Sequence, residues 1–335
     1  MATLDEIRAK LQSQQAKGEQ KGGGGDRAMY PFWNTPEGQS STIRFLPDAD
    51  PSNTFFWVER LVIKLPFQGV KGGDDKEVIV QVPCMEMYGE SCPIISETRP
   101  WWKDPDLQSM ARTYYKKKSY LFQGFVVNSA FEEKELPENP IRRFMINSSI
   151  FDIIKSSLMN PEMEDLPIDF QNGRDFKLTK TTKGQYANYS TSNWSFKTRP
   201  LNAEEAGAIE THGLFNLRDF LPKKPDAAEL NAIKEMFQAS VNQEAYDADR
   251  WGNFYKPFGL NTGNSADRDE DGFKRNTPAA SSTPSANDIL SRLQPASAPV
   301  AEEVDEPVVP ASAPAAGGKP DAQEILRRIR ERNGG

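Results

Sequence analysis

Strand-forming runs are confined to the middle of the chain, and they limit the fold more tightly than any other feature. They read "STIRFLP" (41–47), "FFWVERLVIKL" (55–65), "EVIVQVP" (77–83), "KKKSYLFQGFVVNS" (116–129) and "RDFKLTKTTKGQYANYSTSNWSFKTRP" (174–200). Each is rich in β-branched and aromatic residues and is bounded by turn residues, as in "GVKGGDD" (69–75). The last is long enough for a hairpin. "IRRFMINSSIFDIIKSSLMN" (141–160) reads as a strand running into a helix. Asp226 caps a further helix, with Glu229 three residues on. Several short strands and few helices predict a β-rich α+β core over residues 26–258, built as a sandwich or a small barrel.

The flanks differ in texture. Residues 1–17 predict a short amphipathic helix, with Thr3 and Glu6 as its capping box and Leu4, Ile7 and Leu11 on one face. Four glycines at 22–25 close the linker behind it, so residues 1–25 are expected to be a flexible arm. Residues 259–335 are dominated by Pro, Ala, Ser and acids and predict a disordered tail. The tail carries the arm's pattern twice more, at Ser285–Gln294 and Asp321–Arg330. Each copy has a capping residue, an acid three positions on, and then an isoleucine. A short capped helix of this kind suits docking, although capped helices also recur by coincidence in Ala/Glu-rich chains.

Composition excludes several classes. Two cysteines cannot build a disulfide framework, and no apolar run is long enough to span a membrane. The first residues lack the apolar stretch of a signal peptide, so a soluble cytoplasmic protein is expected. One histidine leaves little for a hydrolytic or metal-dependent centre, and an enzyme is not expected. "DRDEDGF" (267–273) lacks the spacing and closing glutamate of an EF-hand.

The net charge of −7 argues against a polyanionic partner, but its distribution argues for one. Arg112, Lys116, Lys117 and Lys118 stand together with no acid among them. Residues 171–199 hold six cations (Arg174, Lys177, Lys180, Lys183, Lys197, Arg199) against Asp175 alone. Aromatic residues interleave both segments: Tyr114, Tyr115, Tyr120 and Phe122 in the first, Tyr186, Tyr189, Trp194 and Phe196 in the second. Cations follow a phosphate backbone and rings stack on unpaired bases, so the pair of segments predicts a groove for a single strand. A solvated lysine face over an aromatic core gives the same pattern. Period-two alternation is expected to set Lys118, Tyr120 and Phe122 on one face. Trp101 and Trp102 either line that groove or pack in a loop.

Five of these motifs, in this order, resemble the helix-destabilising single-stranded DNA-binding proteins of T-even-type tailed bacteriophages. They are the arm, "IRFLP" (43–47), the cysteine loop ending in "SCP" (91–93), "KKKSYLFQGFVV" (116–127) and "GQYANYSTSNW" (184–194), with the acidic tail behind them. The resemblance implies an oligonucleotide/oligosaccharide-binding (OB) barrel flanked by a small zinc-type subdomain at about residues 60–100. It implies cooperative, largely sequence-independent coating of single-stranded DNA in replication, recombination and repair, in the cytoplasm of an infected bacterium. A single-stranded RNA-binding regulator using the same groove is the alternative. The resemblance implies base stacking on Tyr120, Tyr186 and Tyr189 and phosphate contact by Lys116, Lys117, Lys118, Lys180 and Lys183, and the basic-aromatic pattern adds Arg112, Tyr115, Phe122, Lys177 and Trp194 to the expected contacts. Self-association is expected through Thr3, Leu4, Ile7, Arg8, Lys10 and Leu11 of the arm. Partners such as a polymerase, a helicase loader or a recombination mediator are expected to read Ile289, Leu293, Ile325 and Ile329 of the tail.

The cysteine loop departs from the family. Its zinc site uses one histidine and three cysteines. Here Cys84 and Cys92 match two of them, Ile95 stands where the third would be, and the single histidine, His212, is far downstream. Glu86 and Glu90 are poor substitutes, because structural zinc takes four N or S ligands. Cys84 and Cys92 therefore read as remnants, with no zinc expected.

Overall fold

The computed structural model describes residues 27–257, apart from Asp74 and residues 134–135. The arm positions Thr3, Leu4, Ile7, Arg8, Lys10 and Leu11 lie outside the described residues, as do the tail positions Ile289, Leu293, Ile325 and Ile329. The strands are β1 (Ser40–Leu46), β2 (Trp57–Phe67), β3 (Val78–Pro83), β4 (Lys117–Asn128), β5 (Ile141–Asn147), β6 (Arg174–Thr179), β7 (Thr181–Lys183), β8 (Tyr186–Asn188) and β9 (Asn193–Thr198). The helices are α1 (Pro93–Thr98), α2 (Gln108–Thr113), α3 (Ser148–Leu158), α4 (Ala203–His212), α5 (Ala227–Val241) and α6 (Ala248–Trp251). The protein is a mixed α+β fold around an antiparallel, unclosed sheet. Among the described residues no helix is long and apolar enough to cross a membrane.

The sheet runs β3-β2-β4-β1-β6-β9, and β5 pairs the other edge of β4. The long strand β4 therefore organises it. Along one edge, residues 117–122 pair with β2 and residues 123–128 pair with β1. Along the other edge, residues 119–125 pair with β5. The change of partner falls beside Gly124. A Cβ there would lie 2.2 Å from the carbonyl oxygen of Arg44 and 2.9 Å from the Cα of Phe45. Only glycine admits so close an approach, and a glycine inside a strand marks such a bend.

Both faces of central β4 are covered. Tyr120 and Phe122 face a core built from Phe45, Phe144, Phe176 and Trp194, with Phe151 and Ile154 of α3 laid over it. Leu121 and Phe125 face the other way, toward Leu217 and Ile209. A further core fills the space between the outer half of β2, β3, the cysteine loop, residues 107–115, α5 and α6. The lobe that holds the cysteines thus draws on chain well beyond residues 60–100.

Local chemistry explains the helix starts. Asn147 accepts from the amide of Ile150 at the head of α3. Asn202 with Glu205, and Asp226 with Glu229, form reciprocal capping boxes at α4 and α5. Arg44, fully buried, ties β1 to the loops around β6. Its Nη2 donates to the carbonyls of Asp169 (2.9 Å) and Arg199 (2.8 Å), and its Nη1 lies 3.4 Å from Asp175. Arg199 in turn bridges Asp175 and Glu205.

Substituting Gly124 with Ala is expected to destabilise the protein by at least about 2 kcal/mol, read from the urea midpoint at unchanged m. A midpoint equal to that of the unaltered chain would contradict the close crossing.

Candidate nucleic-acid interface

Chain alternation places cations and rings differently in the two basic segments. β7 and β8 form a two-stranded hairpin apart from the main sheet. Its tip turns at Gly184, whose φ is +66°. Lys183 pairs directly with Tyr186 across the hairpin, which brings the ammonium stem beside the ring. Tyr186 is 78% exposed, and Lys183 is exposed as well. At the foot of the hairpin, Lys180 donates to the carbonyl of Trp33 at 2.5 Å, and Lys180 and Gln39 share a backbone hydrogen bond. Trp33 is 47% exposed and stands edge-on to Phe32, 5.6 Å between centroids. Lys177 is exposed on β6.

The first segment leads into β4. Arg112, Lys117 and Lys118 are exposed, and Lys117 donates to the carbonyl of Arg112 at 3.1 Å. Lys116 is half-buried and pairs with Glu86 at 2.6 Å. Burial works against the Lys116 charge, and Glu86 overcomes it, holding the ammonium above its ordinary range. Tyr115 is half-buried, edge-on to Trp102 at 5.5 Å. Trp101 is buried, stacked on Phe237.

Four of the expected stacking rings are core residues. Phe122 has no exposed surface, and Tyr120 stacks on Phe151 at 3.5 Å and 12°. Tyr189 is buried edge-on to Phe32, and burial pushes its hydroxyl pKa up. Trp194 is buried against Phe176 and Phe45. The reason is the pleat. On β4 the parity that faces this core carries Tyr120 and Phe122, and on β9 it carries Trp194, although Phe196, two residues on, is exposed. Lys118 shares the parity of Tyr120 and Phe122 but lies at the mouth of the strand, beyond the core.

The surface that remains is two-ended. Lys177 opposes Thr42, and Thr42 opposes Asn128 at the far end of β4 from Lys118. Ten residues of strand separate Lys118 from Asn128, about 33 Å along an extended chain. Between them, the outward face of β4 and β5 is closed by residues 215–221. The Gln123 amide donates to the carbonyl of Phe215 (2.8 Å) and accepts from its amide (2.8 Å). Arg143 lies 3.5 Å from the ring centroid of Phe220, and Arg142 pairs bidentately with Glu133.

Two exposed rings outside the expected set join this surface or lie near it: Trp33 and Phe55. Neither sits in a basic run, so charge patterning gave no sign of them. Phe196, noted among the interleaved aromatics, is 91% exposed on the edge strand β9.

The cysteine loop brings two thiols into one apolar cluster. Cys84 and Cys92 are buried there with Met85, Ile94 and Ile95. The neighbouring Cys92 thiol, with burial behind it, pushes the Cys84 thiol well above its ordinary range. Glu86 is held by Lys116 and Glu90 by Lys224. His212 is exposed at the end of α4, outside this cluster. Among the described residues no three His, Cys, Asp or Glu side chains converge.

No protein-family model and no curated protein sequence matches the chain.

Elemental analysis of the purified chain is expected to find no stoichiometric zinc, and chelator is expected to leave the melting temperature unchanged. About one zinc per chain would contradict this account of the loop.

Proposed function

We propose that this chain is a single-stranded DNA-binding protein of the T-even-phage helix-destabilising type, coating unpaired strands with little regard to sequence. Its core is then an OB barrel. The order β5-β4-β1-β6-β9, with α3 between β5 and β6, matches that topology: a third strand beside the second, the first next, then the fourth and fifth. Such barrels take oligonucleotides on the loops that join strands one to two and four to five, and on the face of strands two and three. Both basic segments reach those two loops, and this observation carries the proposal. Arg112 and Lys116 end the connection from β1 to β4, and Lys117 and Lys118 open β4 behind it. Lys180, Lys183 and Tyr186 belong to the connection from β6 to β9. The face of the second and third strands is covered by residues 215–221, so contact runs along the loops and rim.

On this reading the phosphates meet Arg112, Lys117, Lys118, Lys177 and Lys183, and bases stack on Tyr186. Tyr120, Phe122, Tyr189 and Trp194 support the rim from below. Self-association through the arm, partner contact through the tail and action in the cytoplasm of an infected bacterium belong to the same proposal and rest on the sequence pattern.

Fluorescence anisotropy with oligo(dT) over a salt series tests it. Tyr186→Ala is expected to weaken binding by about 1–3 kcal/mol with the melting temperature unchanged. Lys117→Ala is expected to flatten the log–log salt dependence by about 0.7. Phe122→Ala is expected instead to cost about 3–5 kcal/mol of stability. No binding by the unaltered chain would overturn the proposal, and tighter binding to RNA of the same sequence would redirect it to an RNA-binding regulator.

A further inference from the structure

Phe55, Phe56 and Trp57 follow one another where the chain leaves the loop after β1 and enters β2. Phe56 is buried and Trp57 is half-buried, but Phe55 is 58% exposed. A single exposed apolar ring is ordinary on a protein surface, so exposure alone assigns it no role. This one is held still. Its ring lies nearly parallel to that of Trp57, 4.8 Å between centroids at 28°. Trp57 is braced edge-on by Phe56 at 4.8 Å and by Phe151 at 5.2 Å. Phe151 in turn stacks on Tyr120. The result is a ladder of rings running out of the core, with only its last member in solvent.

The backbone beneath the ladder is fixed by one side chain. Asn53 accepts from the amide of Phe55 (3.1 Å) through Oδ1, and its Nδ2 donates to the carbonyl of Trp57 (3.1 Å) and to Asp48 (2.7 Å). The ring is therefore positioned before any ligand arrives, which removes the ordering cost of binding.

Charge decides what kind of contact this is. Residues 47–57 contain no Lys or Arg. Asp48 accepts from Asn53 and the amides of Asp50 and Leu217, and Asp50 is engaged by Ser52 and Arg218. A phosphate finds no spare cation on this loop, but the π-face of a base needs none. The platform and the basic rim lie on the same pair of strands. Trp57 opposes Phe122, and Val62 opposes Lys117, at the two ends of the β2–β4 pairing. That is about 16 Å of strand, a span that a few nucleotides cover.

Resting on the single-strand reading above, we propose that the Phe55–Trp57 step is a base-stacking subsite that makes no phosphate contact. A strand held electrostatically at Lys117 and Lys118 lays an unpaired base on the outer face of Phe55.

Equilibrium titration of fluorescent oligo(dT) over a salt series, with the full-length chain and its Phe55→Leu and Phe55→Trp variants, tests this. Phe55→Leu is expected to bind about five- to 150-fold more weakly at every salt concentration, with the salt slope unchanged. Phe55→Trp is expected to bind at least as tightly as the unaltered chain, because it restores a π-face. Unaltered affinity for Phe55→Leu would overturn the subsite and leave the ring for a protein partner. An altered slope would overturn the absence of phosphate contact. Equal losses for both variants would assign Phe55 to shape rather than stacking. Failure of the unaltered chain to bind oligo(dT) at all would overturn the single-strand reading and this subsite with it, an outcome distinct from the other three.

Discussion

The close crossing at Gly124 governs the rest of the structure. β4 changes partner from β2 to β1 along one edge while keeping β5 on the other, and it does so where Gly124 lies against the backbone of Arg44 and Phe45. The crossing presses two strands together at the point where three hydrophobic clusters meet. Arg44, whose own backbone makes the contact, sends its side chain outward into carbonyls and carboxylates around β6. One strand and one arginine thus hold β1, β2, β5 and β6 in register, and the loops that leave those strands inherit their positions.

This arrangement separates cations from rings. Fully burying an aromatic side chain contributes about 1.5–3 kcal/mol. A base stacked on the same ring returns about 1–3 kcal/mol. Drawing Phe122 or Trp194 out of the core to meet a base therefore gains nothing net. The rings suited to contact are those the fold already leaves outside: Tyr186 at the hairpin tip, Trp33 at its foot and Phe55 at the end of the aromatic ladder. The cations need no such rescue. Lys117, Lys118, Lys177 and Lys183 extend from strand ends and the hairpin into solvent.

Much of the architecture was legible in the sequence, because its signals are local. The strand runs at 41–47, 55–65, 77–83 and 116–129 match β1 to β4 within two residues, and the Asp226–Glu229 capping box forms as read. The orientation of the rings was not legible. Alternation assigns Tyr120 and Phe122 to one face but does not say which face looks inward, and in a strand covered on both sides polarity no longer tells. The folding of residues 215–221 over β4 and β5 depends on Gln123 pairing with the Phe215 backbone, a contact 92 residues apart in the chain. Phe55 was missed for the opposite reason: it belongs to an apolar run, and only the Asn53 clamp turns it outward.

Ultraviolet cross-linking of the full chain to oligo(dT), with the adducts mapped by peptide sequencing, examines this separation directly. Adducts are expected at Tyr186, with the neighbouring hairpin and residues 112–118 in contact and the core rings silent. Adducts concentrated on Tyr120, Phe122 or Trp194, with none from residues 180–188, would contradict the account, since they would require the aromatic core to open onto the strand.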